Sequence, residues 1–239
     1  MNDSDTSKLE LLTEEQRTRT GDTRHPTRTP RDAASLILLD RTDTVPRALL
    51  GKRGKAHAFM PDLYVFPGGR RDPADNRTPL ARPLRDDVAD KLMQRTTARF
   101  HSYAARGLAV AAAREMLEEA HLSLTPEEYA GSLRPDVSHF RYLARAITPP
   151  GQPRRFDTRF FVCFCDEMGL DPTAIRDSDE LHDLTWLPID SHHSHPLPRI
   201  TKVILGELTQ ALEEDPSLPF GRTVPYYYFR NGRSVRELI

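Results

Sequence analysis

Apolar and polar positions along the chain change period several times, and each change predicts an element. AASLILLD (33–40) is a short apolar run bounded by charge, and VPRALLGKR (45–53) repeats it after a turn around Asp43, which predicts a β-hairpin. FMPDLYVFPGG (59–69) places a Pro-containing loop before a strand at Tyr64, Val65 and Phe66, with Gly68-Gly69 expected to stop it. RRDPADNRTPLARP (70–83) is a polar excursion, and 84–100 is expected to be a helix with mixed faces. RGLAVAAAREMLEEAHL (106–122), rich in Ala, Leu and Glu, is the plainest helix in the chain. A short helix is expected at TPEEY (125–129), capped by Thr125. FRYLARAIT (140–148) and TRFFVCFCDE (158–167) read as strands around the loop PPGQPRRFD. LHDLTWLPI (181–189) reads as another strand and LPRITKVILGELTQALEED (197–215) as a helix. Strands and helices mix without strict alternation, which favours an α+β fold.

The ends differ from this interior. Residues 1–31 are polar, with Arg, Thr and Pro prominent, and are expected to be a mobile arm. One domain is expected over 32–215, with an insertion at about 71–105 and a C-terminal helix at about 197–215. The tail, 216–239, carries Tyr226, Tyr227, Tyr228 and Phe229, an apolar cluster suited to docking on the core or on a second copy in a homodimer.

Bulk composition narrows the function classes. A length of 239 residues suffices for one sizeable core, and a net charge of −1 gives no global field towards nucleic acid or anionic membrane, so neither is an expected partner. No apolar run approaches the length of a bilayer span, and the polar start is unlike a secretory or transit signal. Cys163 and Cys165, two apart in a strand-like stretch, suit buried thiols in a reducing compartment, so a cytoplasmic location is expected. HHSHP (192–196) lacks zinc-finger spacing and reads as a polar loop.

The chemistry concentrates in AAAREMLEEAHL (111–122). On a helical wheel Glu119 lies about 40° from Glu115 on one side and Glu118 about 60° on the other, with Ala109, Ala113, Met116, Leu117 and Ala120 opposite. Carboxylates gathered this closely repel one another. Either the face is solvated, with Arg114 as partner, or it holds hard cations, which take several oxygen ligands. VFPGG upstream favours cations, because a glycine pair lets backbone approach a ligand closely.

These stretches resemble the Nudix box, G-x5-E-x7-R-E-U-x-E-E-x-G-U with U apolar. Arg114-Glu115-Met116 matches R-E-U, Glu118-Glu119 matches E-E, and FPGG matches the opening segment. FMPDLYVFPGGRRDPAD, ITPPGQPRRFDTRFF and DELHDLTWLP extend the likeness over roughly residues 31–190, towards the coenzyme A diphosphatase branch with an insertion inside the box. Two positions depart from the pattern: His121 stands where the box has glycine, and Arg106 where it has the early glutamate.

The resemblance implies a Nudix α/β/α sandwich with a mixed β-sheet between helices. It implies Mg2+ or Mn2+ held by Glu115, Glu118, Glu119 and the Gly68 carbonyl, with Arg114 orienting a catalytic glutamate. Glu180 is favoured as a further acid, with Asp179 and Asp183 as alternatives. Asp86, Asp87 and Asp90 in the insertion are available to replace the missing glutamate. The implied activity is hydrolysis of the diphosphate linkage of a nucleoside diphosphate derivative, with coenzyme A or an acyl derivative as candidate. The alternative is a non-catalytic module that binds a nucleotide or a protein. Arg53, Arg70, Arg154, Arg155 and Arg159 are candidates for phosphate, as guanidinium forks suit phosphate oxygens. Phe59, Tyr64 and Phe156 are candidates for stacking on a base. Purified protein hydrolysing a panel of such compounds no faster with Mg2+ than without would favour the binding module.

Overall fold

The computed structural model describes residues 3–20, 28–54, 62–191 and 195–239. The elements in chain order are α1 (Asp3–Thr20), β1 (Arg31–Asp40), β2 (Arg47–Arg53), β3 (Tyr64–Val65), β4 (Gly68–Arg70), α2 (Asp86–Met93) and α3 (Ser102–Ala120). They continue with β5 (Arg141–Ile147), β6 (Phe156–Phe164), α4 (Cys165–Met168), β7 (Leu181–Pro188), α5 (Arg199–Glu214), β8 (Pro225–Arg230) and β9 (Arg233–Leu238). The strands form one mixed sheet in the order β3-β2-β1-β6-β5-β8-β9, with β4 paired to β1 and β7 to β2.

The central pair, β1 and β6, runs parallel from Arg31–Phe156 to Leu39–Phe164. Side chains alternate across a strand, and here both faces are covered. Leu36, Leu38, Phe161 and Cys163 join the core beneath α2 and α3. Ile37, Leu39, Val162 and Phe164 join the core beneath α5. Two covered faces explain why LILL (36–39) is continuously apolar instead of alternating. The expected α/β/α sandwich is the architecture found.

Helix α3 lies close to the sheet because its inner surface is built of small residues, Ala105, Ala109, Ala112 and Ala113 among them, with Leu108 and Met116 filling the remaining space. It ends at His121, which takes the left-handed conformation with φ 57° and ψ 21° and donates its N–H to Leu117 O at 3.1 Å. Glycine is the usual residue in this turn, and His121 forms it in its place, since His is among the non-glycine residues that enter this region most readily.

Other expectations are corrected by longer-range contacts. The N-terminal arm contains α1, which packs Leu9, Leu11 and Leu12 on the α5 side of the sheet, while Lys8 Nζ reaches Glu207 at 2.8 Å. The aromatic tail is a β8–β9 hairpin that extends the sheet beside β5, so the folded unit continues beyond residue 215. Gly68 and Gly69 form part of β4 and do not simply stop a strand. The expected helix over 84–100 shrinks to α2. Cys165 lies in α4, at the end of β6, and both cysteines are buried free thiols. At TPEEY the turn begins at Glu127, and Thr125 accepts instead from Arg134 N. Among the described residues no helix is long and apolar enough to cross a membrane.

Candidate active site

Helix α3 delivers its carboxylates to the edge of the sheet where β4 meets β1. Glu115 and Glu119 are 9% and 5% exposed, so they are not the solvated face that a polar helix surface would give, while Glu118 stands out in solvent. The glycines of β4 make that burial feasible. Gly68 N–H donates to Glu119 Oε2 at 2.7 Å. A Cβ on Gly69 would lie 2.2 Å from Glu115 Oε1, so any side chain there would push the carboxylate from its place.

Arg114 braces the cluster. Its Nη1 donates to Glu115 Oε1 and to Glu118 Oε2, each at 2.8 Å. Its Nε donates to Asp75 Oδ1 at 3.1 Å and its Nη2 to Arg70 O at 3.1 Å. Burial opposes charge on the guanidinium, but the hydrogen bond to Asp75 and the charges of Glu115, Asp75 and Glu118 raise its pKa overall. Asp75, buried in the insertion, was missed by sequence reasoning. It stands six residues after Gly69, where G-x5-E counted from the FPGG glycine has its acid, and the insertion that follows separates it from Arg114 by nearly forty residues.

Arg106, eight residues before Arg114, holds backbone carbonyls. Its Nη1 donates to Asn76 O at 2.7 Å and its Nη2 to Thr78 O, so it pins the insertion against α3. Asp86, Asp87 and Asp90 do not line the site, and Asp87 is held by Arg85 at 3.2 Å.

A cavity of about 400 Å³ opens in front of the carboxylates. Glu115, Glu119 and Glu180 line it together with Arg53, Gly68, Gly69 and Arg70. Of the three downstream acids, Glu180 is the one at the cavity; Tyr64 OH donates to Asp183. Further lining comes from Phe66, Ile147, Phe156 and Phe160, from Ile200 on α5, from Leu12 on α1, and from Tyr228 and Phe229 on β8. One end is therefore acidic and the rest is largely apolar and aromatic.

The electrostatics leave the acidic end short of positive charge. Burial pushes Glu119 up to about 8, and the charges of Glu115 and Glu180 add to it, against Gly68 N–H and Arg53, which pull it down. Glu115 is also raised, chiefly by burial, with Arg114 opposing. Burial lowers Arg53 in turn, although Glu119, Glu180 and Glu115 all favour its charge. Carboxylate oxygens of this kind suit a hard divalent ion. Among the described residues, no three His, Cys, Asp or Glu side chains already converge as a closed metal cage.

The remaining candidates separate. Arg70 lines the cavity and pairs with Asp72 at 2.6 Å, and Arg154 lines it as well. Arg155 lies outside this cavity, in a neighbouring one. Arg159 is buried, bound to Asp32 at 2.8 Å and beside Asp157, and so serves the core. Phe59 and most of HHSHP lie outside the described residues, and His195 packs edge-on against Tyr64.

No protein-family model matches the chain. In sequence it is similar to "Putative nudix hydrolase 7" of Caenorhabditis elegans, 28% identical over 181 residues that take in 66% of this chain and 51% of the relative. The chain thus spans about half the length of the curated relative it matches. In structure it is similar to a NUDIX hydrolase from Alicyclobacillus acidocaldarius, with a TM-score of 0.55 and 26% identity over 79% of this chain and 93% of that one. The α/β/α sandwich is the Nudix fold, and the likeness in both sequence and structure is to Nudix hydrolases.

Proposed function

We propose that the protein is a Nudix-type diphosphohydrolase, a metal-dependent enzyme that cleaves the diphosphate linkage of a nucleoside diphosphate derivative, with coenzyme A or an acyl-coenzyme A as the candidate substrate. The observation that carries this reading is the buried pair Glu115 and Glu119, which face a substrate-sized cavity with too little positive charge around them. A buried acid without full compensation is costly unless a cation joins it. Glu115, Glu118 and Glu119 would hold Mg2+ or Mn2+, with the Gly68 carbonyl as a further donor. When bound, such an ion polarises phosphoryl oxygens and lowers the pKa of water.

The chain's own groups have separable tasks in this scheme. Arg114, fixed by Asp75, orients Glu115 and Glu118 so that their free oxygens face the ligand. Arg53 and Arg70 offer guanidinium donors to the diphosphate. Glu180, at the cavity wall, is placed to take a proton from water. The apolar wall from Phe66 to Ile200 suits a substrate whose far portion is long and apolar, which favours an acyl-bearing compound over a bare nucleotide.

A second reading, a module that binds nucleotide without hydrolysing it, draws on Arg106, which is tied to the insertion where the box motif has an acid. Incubating purified protein with Mg2+ or Mn2+ and a panel of diphosphate compounds, and identifying both products, separates the two. Hydrolysis that is lost in chelator supports the enzyme. Tight binding without turnover selects the module.

A further inference from the structure

The cavity in front of the carboxylates runs across the sheet. Ala33 on β1, Thr158 on β6, Ala146 on β5 and Tyr227 on β8 all line it, and they pair in register across four neighbouring strands. Three strand spacings put Tyr227 about 14 Å from Ala33. The first three of these side chains are small and leave a trough. Charge is confined to one end of it. Arg53, Arg70, Glu115, Glu119, Arg154 and Glu180 are the charged residues of the described lining, whereas α1, α5, β8 and β9 contribute none.

Helix α1 is fastened at the uncharged end. Asp5, Lys8, Leu9 and Leu12 stand at i, i+3, i+4 and i+7 and so share one face of the helix. Asp5 pairs with Arg236 on β9 at 3.3 Å, and Lys8 with Glu207 on α5 at 2.8 Å. Arg199 Nη1 donates to Leu11 O at 2.8 Å, and Ser234 N–H donates to Thr13 Oγ1 at 3.3 Å. These contacts fix the rotation of α1 against α5 and β9. Leu12 reaches the cavity beside Ile200, Tyr228 and Phe229, while Leu9, nearly one turn earlier, packs on the core without lining it.

We infer that Leu12 is a specificity-determining residue: it closes the apolar limb of the cavity and limits how large a group a substrate can carry beyond its diphosphate. The inference rests on the proposed diphosphate site and adds a size limit to it, set by an N-terminal helix that takes no part in the chemistry. An apolar wall discriminates by methylenes. Each one that fits behind it raises affinity several-fold, and one that must stay outside adds nothing.

Calorimetric binding to the full chain with Mg2+ tests the wall apart from hydrolysis. The probes are ethyl, octyl and dodecyl esters of ADP in which a methylene replaces the bridging oxygen of the diphosphate. In the wild-type protein the octyl ester is expected to bind about ten-fold or more tightly than the ethyl ester, and the dodecyl ester no more tightly than the octyl. Leu12→Trp is expected to cut the octyl advantage to about two-fold or less, and Leu12→Ala to let the dodecyl ester outbind the octyl. Leu9→Ala, which loosens the same helix without touching the cavity, is expected to keep the wild-type order. Thermal melts check the folding of each variant, and if Leu12→Trp does not fold, Leu12→Ala decides. Equal binding of ethyl and octyl esters to wild type overturns the inference, and so does a dodecyl ester that already outbinds the octyl. A chain-length order unchanged in the folded Leu12 variants, or shifted as far by Leu9→Ala, overturns it too. The diphosphohydrolase reading fails separately, if the ordinary ADP esters bind in that order and none is hydrolysed; an ethyl ester that does not bind overturns both.

Discussion

Glu119 and Glu207 are both buried, on helices that cover opposite faces of the same sheet, yet their environments push them in opposite directions. Burial raises both. At Glu207 it is outweighed by a hydrogen bond from Lys8 at 2.8 Å, one from Tyr227 OH at 2.5 Å and another from Arg236 at 3.2 Å, and the carboxyl falls below its ordinary range. At Glu119 only Gly68 N–H and Arg53 oppose burial, while Glu115 and Glu180 reinforce it. Glu207 thus joins α1, α5, β8 and β9 into one closed network, a structural use of charge. Glu119 is left open to a cavity. Where a protein buries an acid and withholds its partners, a ligand is the natural source of the missing charge.

The sharpest way to break that contrast is to neutralise each acid in turn. Glu119→Gln should lower metal-dependent turnover on the order of a hundred-fold while the protein stays folded. Glu207→Gln should take from Lys8 its carboxylate partner and leave Arg236 with Asp5 at 3.3 Å, and cost roughly 3 kcal/mol of stability in denaturant melts. If E207Q lost turnover without losing stability, or E119Q the reverse, the division of roles would be wrong.

Titration offers the next test. Glu119 has a folded pKa raised to about 8 from an ordinary 4.5, so its contribution to stability is full below about pH 4.5 and is lost as pH rises through 8. For Glu207 the folded value is depressed, so its contribution is present above about pH 4.5 and disappears as pH falls through the folded value. Melts in chelator should therefore show E119Q gaining on wild type as pH rises from about 4.5 to about 8 and levelling off above it, and the E207Q deficit shrinking in acid. Parallel curves would sink the assignment.

Mg2+ or Mn2+ at about a hundred times its dissociation constant should raise wild-type stability by about 2.7 kcal/mol, and E119Q by clearly less. The smallest change is expected from Asp75→Asn, which loosens Arg114 without removing a carboxylate from the cavity. A fall in kcat of about ten-fold, with little change in KM, fits a positioning role. A change in KM alone would instead make Asp75 a substrate contact.

Much of this comparison could be read from the chain, and the part that could not has a common cause. The compact carboxylate face of α3, the β1–β2 hairpin and the strand at Tyr64 follow from periodicities of four residues or fewer, which the backbone expresses locally. That Glu115 and Glu119 are buried while Glu118 is exposed could not be read this way. It depends on where β4 lies, and β4 pairs with β1 across more than thirty residues. Helix α1 escaped notice because Leu9, Leu11 and Leu12 form a brief patch with no sustained stripe, and it is held by α5 and β9.

By itself, then, the sequence determined the helix that bears the acids, the glycines that let it approach a strand, and the Nudix resemblance those residues carry. Tertiary structure alone decided that Asp75 would hold Arg114, that Glu180 would share a cavity with Glu115 and Glu119, and that the tail would extend the sheet. It also brought Leu12 of α1 to the wall of that cavity. Those relations join residues far apart in the chain, and the pairing of charge with charge has no period along a sequence. It exists only once the folded sheet has set the distances.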